Sequence, residues 1–223
     1  MSFQTVVIPG ESFAHDAARR LESALSPEGS IVITGGQVAE SIYRGLAASG
    51  AMDWSDMELF FSDERCVSPS DPRSNYRLAK ESLLDPLDIE RVHRMRGEDP
   101  PERAAVDYAE LVAPRAATGF DLVLLGMGEE GHICALFPSS PALGTAELTA
   151  VVDRPDGMQG ITLTPSALMP ARRIVIAVTE EAKAEAVARA VAGREPPSAL
   201  PVRALARHPN VAFWLDEAAA SRL

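Results

Sequence analysis

The sequence predicts an α/β fold with a mostly parallel sheet, helices on both faces, and one domain over residues 1–223. Three observations predict it. Strand and helix patterns alternate along the whole chain. Two strand patterns, FDLVLL over 120–125 and IVIAV over 174–178, are apolar nearly throughout, as central strands covered on both faces are. Glycine clusters follow two of the strand patterns at once, at Gly35-Gly36 and at Gly126, Gly128 and Gly131.

The elements read in order as follows. Ser12 caps a first helix with Phe13, Ala17, Leu21 and Leu25 on one face. Residues 31–33 form a short strand, and a helix with Val38, Ile42 and Leu46 inward follows Gly35-Gly36. A strand over 57–61 runs into a polar loop over 62–74 that holds Pro69 and Pro72. Residues 75–84 read as helix and 92–95 as a short strand. Pro101 suits the first turn of a helix reaching Val112. Beyond the strand over 120–125, short strands are expected at 151–152 and 161–163, and a buried one at 174–178. Thr179 caps a helix over 180–192 that Gly193 stops. Short strands near Val202 and over 211–215 and a C-terminal helix complete the chain.

Composition narrows the function. A chain of 223 residues with 46% hydrophobic and 24% charged residues suits a globular enzyme. No apolar run is long enough to span a bilayer, and no basic, then apolar, secretory pattern opens the chain. A net charge of −11 argues against nucleic acid and acidic membrane surfaces as partners. Cys66 and Cys134 have no metal-ligand spacing, so no metal is expected, and reduced thiols in the cytoplasm are the expectation.

Four segments bear chemistry-capable groups at strand ends, where ligands bind in open α/β sheets. In Gly126-Met127-Gly128-Glu129-Glu130-Gly131-His132, the glycines permit a sharp turn and close ligand approach, and His132 is the candidate general base. The glycines spell G-x-G-x-x-G, but Pro138 and Pro141 leave no room for the long helix a dinucleotide site requires. Thr34-Gly35-Gly36 before a helix presents backbone N–H groups to an anion, or serves geometry alone. In Asp63-Glu64-Arg65, Arg65 can grip phosphate or carboxylate oxygens, with Asp63 or Glu64 orienting it. Ser74-Asn75 downstream either caps the next helix or meets ligand. Lys183 is a phosphate-binding candidate or an exposed helix partner. Cys134, two residues from His132, lacks any spacing that would orient it as a nucleophile.

Together these segments resemble the 6-phosphogluconolactonase family over nearly the whole chain. The resemblance rests on Asp63-Glu64-Arg65-Cys66-Val67 with Ser74-Asn75, on Leu125-Gly126-Met127-Gly128 with Gly131-His132 and Leu136-Phe137-Pro138, on Ile161-Thr162-Leu163-Thr164, on Val178-Thr179 to Lys183, and on Phe213-Trp214-Leu215-Asp216. It implies a modified doubly wound, Rossmann-like sheet and hydrolysis of 6-phospho-D-glucono-1,5-lactone in the oxidative pentose phosphate pathway. It implies no cofactor, a small-molecule sugar phosphate lactone as the partner, and a monomer or small homo-oligomer. By that resemblance His132 is the general base, with Glu130 beside it. Arg65 and Lys183 hold phosphate or the developing oxyanion, Gly35 and Gly36 offer backbone donors, Asp63 and Asn75 belong to the substrate site, and the Gln37 amide stands in where the family's hydroxyl donors are missing.

The chain departs from the family pattern. Gln37-Val38-Ala39 stands where the family has Ser-Thr-Pro, and Glu130 where it has Asp. Ile133-Cys134-Ala135 replaces Thr-Ala-Ser, Gly160 replaces an arginine, and Glu180 replaces a glycine. Most of these changes strip polar and basic groups from the expected phosphate end. An aminosugar-phosphate isomerase/deaminase of the same superfold is the alternative, but it usually shows Phe-Asn-Glu where this chain has Leu136-Phe137-Pro138. A non-catalytic sugar-phosphate-binding protein is the other, and no DNA-binding segment fits before Ile31.

Overall fold

The computed structural model describes residues 3–223. Its strands are β1 (Gln4–Val7), β2 (Ser30–Ile33), β3 (Glu58–Phe61), β4 (Asp63–Arg65), β5 (Val92–His93), β6 (Leu122–Leu125), β7 (Thr149–Asp153), β8 (Gln159–Leu163), β9 (Ile174–Val178) and β10 (Val211–Leu215). Its α-helices are α1 (Phe13–Glu22), α2 (Gln37–Ser49), α3 (Asn75–Ala79), α4 (Asp85–Leu87), α5 (Pro101–Thr118), α6 (Pro165–Leu168) and α7 (Ala184–Ala192). Seven strands form one wholly parallel sheet in the order β1-β10-β9-β6-β2-β3-β5. The expected doubly wound architecture is therefore present, with the 120–125 strand in the middle position.

Alternation within the apolar strands explains how both faces are covered. Leu122 and Leu124 of β6 face a core with Phe13, Ala17 and Leu21 of α1 and Ile42, Tyr43 and Leu46 of α2. Val123 and Leu125 face the opposite core, with Tyr108 and Val112 of α5 and Val187 and Ala190 of α7. All four β6 side chains are almost wholly removed from water. Truncating one, as in Leu124→Ala, falls in the class that costs about 2–5 kcal/mol.

Several local expectations are corrected. A second, three-stranded antiparallel sheet, β4-β8-β7, lies inside what reads as a polar loop and two short strands. Val202 sits in a 3₁₀ turn, Pro201–Leu205, rather than a strand, because its N–H is used by the Gly131 carbonyl at 2.9 Å. The C-terminal residues make turns instead of a helix: Asp216 accepts the Ala219 N–H at 2.7 Å as a cap would, but the backbone bonds that follow mix two spacings, Ala220 to Asp216, Ser221 to Ala218 and Leu223 to Ala220, and no regular ladder forms. Ser12 does not cap α1, as its hydroxyl bonds the Asp16 side chain at 2.8 Å. Leu25 lies beyond the end of α1. Thr179 caps no helix, for a 3₁₀ turn, Glu181–Lys183, intervenes before α7. α5 runs on to Thr118 and ends at Gly119, whose φ of 87° favours glycine. Among the described residues no helix is long and apolar enough to cross a membrane.

Strand order reverses at the centre of the sheet. From β2 the chain moves outward through β3 to β5, then returns to the far side of β2 as β6 and continues to β9 and β10. The carboxyl ends of β2 and β6 thus diverge into a crevice, the place where such sheets bind ligands.

Candidate active site

A cavity of about 220 Å³ occupies that crevice. The β2–α2 turn supplies one wall through Thr34, Gly35, Gly36 and Gln37. Tyr43 locks the strand end: its hydroxyl donates to the Thr34 carbonyl at 2.6 Å and accepts the Thr34 N–H at 3.0 Å. Gly36 has φ 100° and ψ 165°, a conformation that requires glycine. Gly35 is excluded from bearing a side chain for another reason: a Cβ there would lie 1.9 Å from Asn75 Oδ1. Among the described residues no side chain caps α2, so the N–H groups of its first turn remain for an anion.

The β4 segment supplies Asp63 and Arg65. Asp63 is buried, and its carboxylate accepts from Ser62 Oγ at 2.7 Å and Asn75 Nδ2 at 3.1 Å. Asn75 Nδ2 also donates to the Asp63 carbonyl at 2.9 Å. Glu64 points away and closes the start of α3. It accepts the Asn75 and Tyr76 N–H groups, both at 2.8 Å, and the Ser74 hydroxyl at 2.9 Å. Burial pushes the Glu64 carboxyl above its usual range, against the pull of these donors. Ser74 is the cap of α3, accepting the Arg77 N–H at 3.2 Å. The expected orienting role of Asp63 or Glu64 on Arg65 is not what the geometry gives: the Arg65 guanidinium donates to the Arg73 carbonyl, and its buried Nε has no partner among the described residues. Among the described residues Arg65 makes no ion pair, and the Arg73 carbonyl holds it at the cavity.

The third wall is the loop after β6. Its turn is closed by Gly131 N–H to the Gly128 carbonyl at 2.9 Å and Gly128 N–H to the His132 carbonyl at 3.0 Å. The His132 ring packs on Gly128 so closely that a Cβ there would lie 2.2 Å from Nδ1. Gly131, at φ 81°, leaves room for Leu200. His132 also rests on Phe137, with ring centroids 4.6 Å apart. Glu130 Oε1 lies 3.0 Å from Nδ1, near but poorly aligned for a hydrogen bond. Burial opposes ionisation of Glu130, but its own backbone N–H and the His132 ring outweigh it and hold the carboxyl below its usual range. Cys134 lines the cavity at φ 52°, and burial first, then Asp63, pushes its thiol far up. That is the opposite of an activated nucleophile. Both cysteines are free.

Lys183 enters from the turn before α7, at the position just ahead of the helix, and makes no ion pair among the described residues. The cavity therefore unites Gly35, Gly36, Gln37, Asp63, Arg65, Asn75, His132 and Lys183, with Glu130 behind His132. Arg154, from the β7–β8 hairpin, also lines it and was not anticipated from the sequence. The one signal of it was the glycine at 160, where the family resemblance places an arginine. Among the described residues, no group of three or more His, Cys, Asp or Glu side chains is placed to hold a metal ion.

Residues 10–214 match the family model described as glucosamine-6-phosphate isomerases/6-phosphogluconolactonase. The chain belongs to this family. The 6-phosphogluconolactonase of Mycobacterium tuberculosis is 38% identical, over 86% of this chain and 84% of its own. That of Streptomyces coelicolor is 35% identical, over 96% and 91%. The crystal structure of a 6-phosphogluconolactonase from Shewanella baltica superposes with a TM-score of 0.82 at 28% identity, covering 97% of each chain. A monomeric glucosamine-6-phosphate deaminase superposes at a TM-score of 0.90 with 22% identity, over 99% of this chain and 100% of its own, a likeness of fold alone. The family's fold thus spans both named chemistries, and the site residues must separate them.

Proposed function

We propose that this chain is a 6-phosphogluconolactonase: it hydrolyses 6-phospho-D-glucono-1,5-lactone to 6-phospho-D-gluconate in the oxidative pentose phosphate pathway, in the cytoplasm. The observation that carries the reading is the position of His132, at the carboxyl end of β6, facing a cavity with three cationic side chains around it. The relatives' names support the substrate.

In the mechanism, Glu130 beside Nδ1 favours the tautomer with its proton there, which leaves Nε2 free to act as base. Nε2 takes a proton from water as the water oxygen attacks the lactone carbonyl carbon. The carbonyl π electrons move onto oxygen, and a nearby cation stabilises that charge. The oxyanion then re-forms the carbonyl, the bond from carbon to ring oxygen breaks, and His132 returns its proton to the departing ring oxygen. The product acid ionises in solution. General-base assistance of this kind contributes roughly 10²–10⁴-fold, and oxyanion stabilisation a comparable factor. The phosphate lies among the first N–H groups of α2, Gln37 and the cations. Asp63 and Asn75 shape that floor through their mutual hydrogen bonds.

The test is turnover of freshly generated 6-phosphogluconolactone measured above its spontaneous opening, beside glucosamine 6-phosphate assayed for ammonia release. Lactone turnover without ammonia release is the expected result. Ammonia release would replace this reading with the isomerase/deaminase one. Tight binding of 6-phosphogluconate without turnover would replace it with a sugar-phosphate-binding protein.

A further inference from the structure

Gly160 leaves a gap beside the cavity, and another residue fills it. Gly160 lies on β8, paired with Arg65 of β4 on one side and Val152 of β7 on the other. A Cβ at Gly160 would come within 3.2 Å of Arg154 Cδ and 3.6 Å of its Cγ. The stem of Arg154 thus lies across the bare backbone of position 160. Its guanidinium stands 5.5 Å from the centre of the Phe137 ring, the same ring that supports His132. The side chain is only 10% exposed, unusually enclosed for an arginine on a hairpin.

The hydrogen bonding of Arg154 is incomplete. Nε donates to Asp156 Oδ2 at 3.1 Å, and among the described residues neither terminal nitrogen donates to any protein acceptor. Arg94 and Arg189 each engage a carboxylate with two nitrogens, and the arginines that use one, such as Arg44 and Arg103, have side chains 70% and 76% exposed, so water completes their bonding. An enclosed arginine that lines a cavity and whose two terminal nitrogens are unpaired among the described residues is suited to receive a planar or tetrahedral oxyanion. Arg65 and Lys183 line the same space.

We infer that Arg154 binds the substrate's phosphate, supplying across the β7–β8 hairpin the guanidinium that position 160 lacks. The inference rests on the proposed lactonase reading for the identity of the ligand. It also explains how the site holds phosphate without hydroxyl donors at 37–39. Bulk at Gly160 and the Arg154 side chain compete for one space, so the two features belong together.

The test is calorimetric binding of the product 6-phosphogluconate, with gluconate as the ligand lacking phosphate, to wild type, Arg154→Met, Asp156→Asn and the double variant Arg154→Ala/Gly160→Arg, in which alanine vacates the space over position 160. Methionine keeps the stem over Gly160 and Phe137 while removing the charge. A charge-assisted bond predicts about a 10- to 150-fold loss of 6-phosphogluconate affinity in Arg154→Met. Gluconate binding should not change. Asp156→Asn should keep or improve 6-phosphogluconate affinity, since it frees the guanidinium, and the double variant should recover part of the loss. The assignment is overturned if Arg154→Met binds 6-phosphogluconate like wild type, if gluconate affinity falls equally, if Asp156→Asn loses as much as Arg154→Met, or if wild type does not bind 6-phosphogluconate. Arg154-dependent binding in a wild type that turns over no lactone would remove the lactonase reading and leave this one standing.

Discussion

Gly35→Ala perturbs the site at its tightest point. The added methyl would sit 1.9 Å from Asn75 Oδ1 and 2.5 Å from Cγ. Asn75 is buried and cannot swing into solvent, so the amide must leave its place. Doing so gives up two bonds from Nδ2, one to the Asp63 carbonyl and one to the Asp63 carboxylate. A neutral bond contributes about 1 kcal/mol and one to a charged group about 1.5–3 kcal/mol, so the expected loss is about 3 kcal/mol. Urea denaturation of wild type, Gly35→Ala, Asn75→Ala and the double variant measures it as a cycle. With Asn75 already truncated, the methyl meets no amide, and Gly35→Ala should cost under about 1 kcal/mol. A cost that is small in wild type, or equal in both backgrounds, refutes the reasoning. Lactone turnover should fall in parallel, because Asp63 and the β2–α2 turn lose their common support.

Other perturbations follow from single residues. Glu180 holds φ 84° and ψ 138°, strained for any side chain, while its exposed carboxylate has no partner among the described residues. Glu180→Gly should therefore raise stability by about 1 kcal/mol, relief of strain exceeding the added chain entropy; a lower urea midpoint would contradict this. The Arg94 hydrogen bonds hold the Glu98 carboxyl down to about 2. A depressed carboxyl contributes stability above its unfolded value and loses it as pH falls through the folded one. The stability difference between wild type and Glu98→Gln should accordingly be constant at neutral pH and shrink between about pH 4.5 and 2. A difference that grows on acidification, read from denaturant midpoints against pH, would reverse the sign.

What was legible in the sequence was whatever depended on burial and on turns. The unbroken apolar run Leu122–Leu125 announced a central strand because both of its faces pack against helices. The glycines at 35, 36, 128 and 131 announced close approach, and each has a physical cause in the fold, whether φ or a neighbour. Asp63-Glu64-Arg65 hid a strand. Its ladder partner is distant in sequence, and its charged side chains serve caps and the cavity instead of a core. Tyr43 and Tyr108 were also hidden. They look like ordinary core aromatics, yet their hydroxyls clamp the ends of β2 and β3, Tyr43 on Thr34 and Tyr108 on Phe61. Arg154 was invisible because it reaches the site across a hairpin, past a glycine whose lack of a side chain carries the information.

The account turns on His132 as the base. The most direct measurement is kcat for freshly generated 6-phosphogluconolactone near neutral pH, corrected for spontaneous opening, for wild type and His132→Ala prepared side by side. The account predicts fast turnover by wild type and a loss of roughly a hundredfold or more in His132→Ala, with 6-phosphogluconate still bound through the cations. Turnover that survives the substitution within a few-fold would contradict it and place the base elsewhere in the cavity.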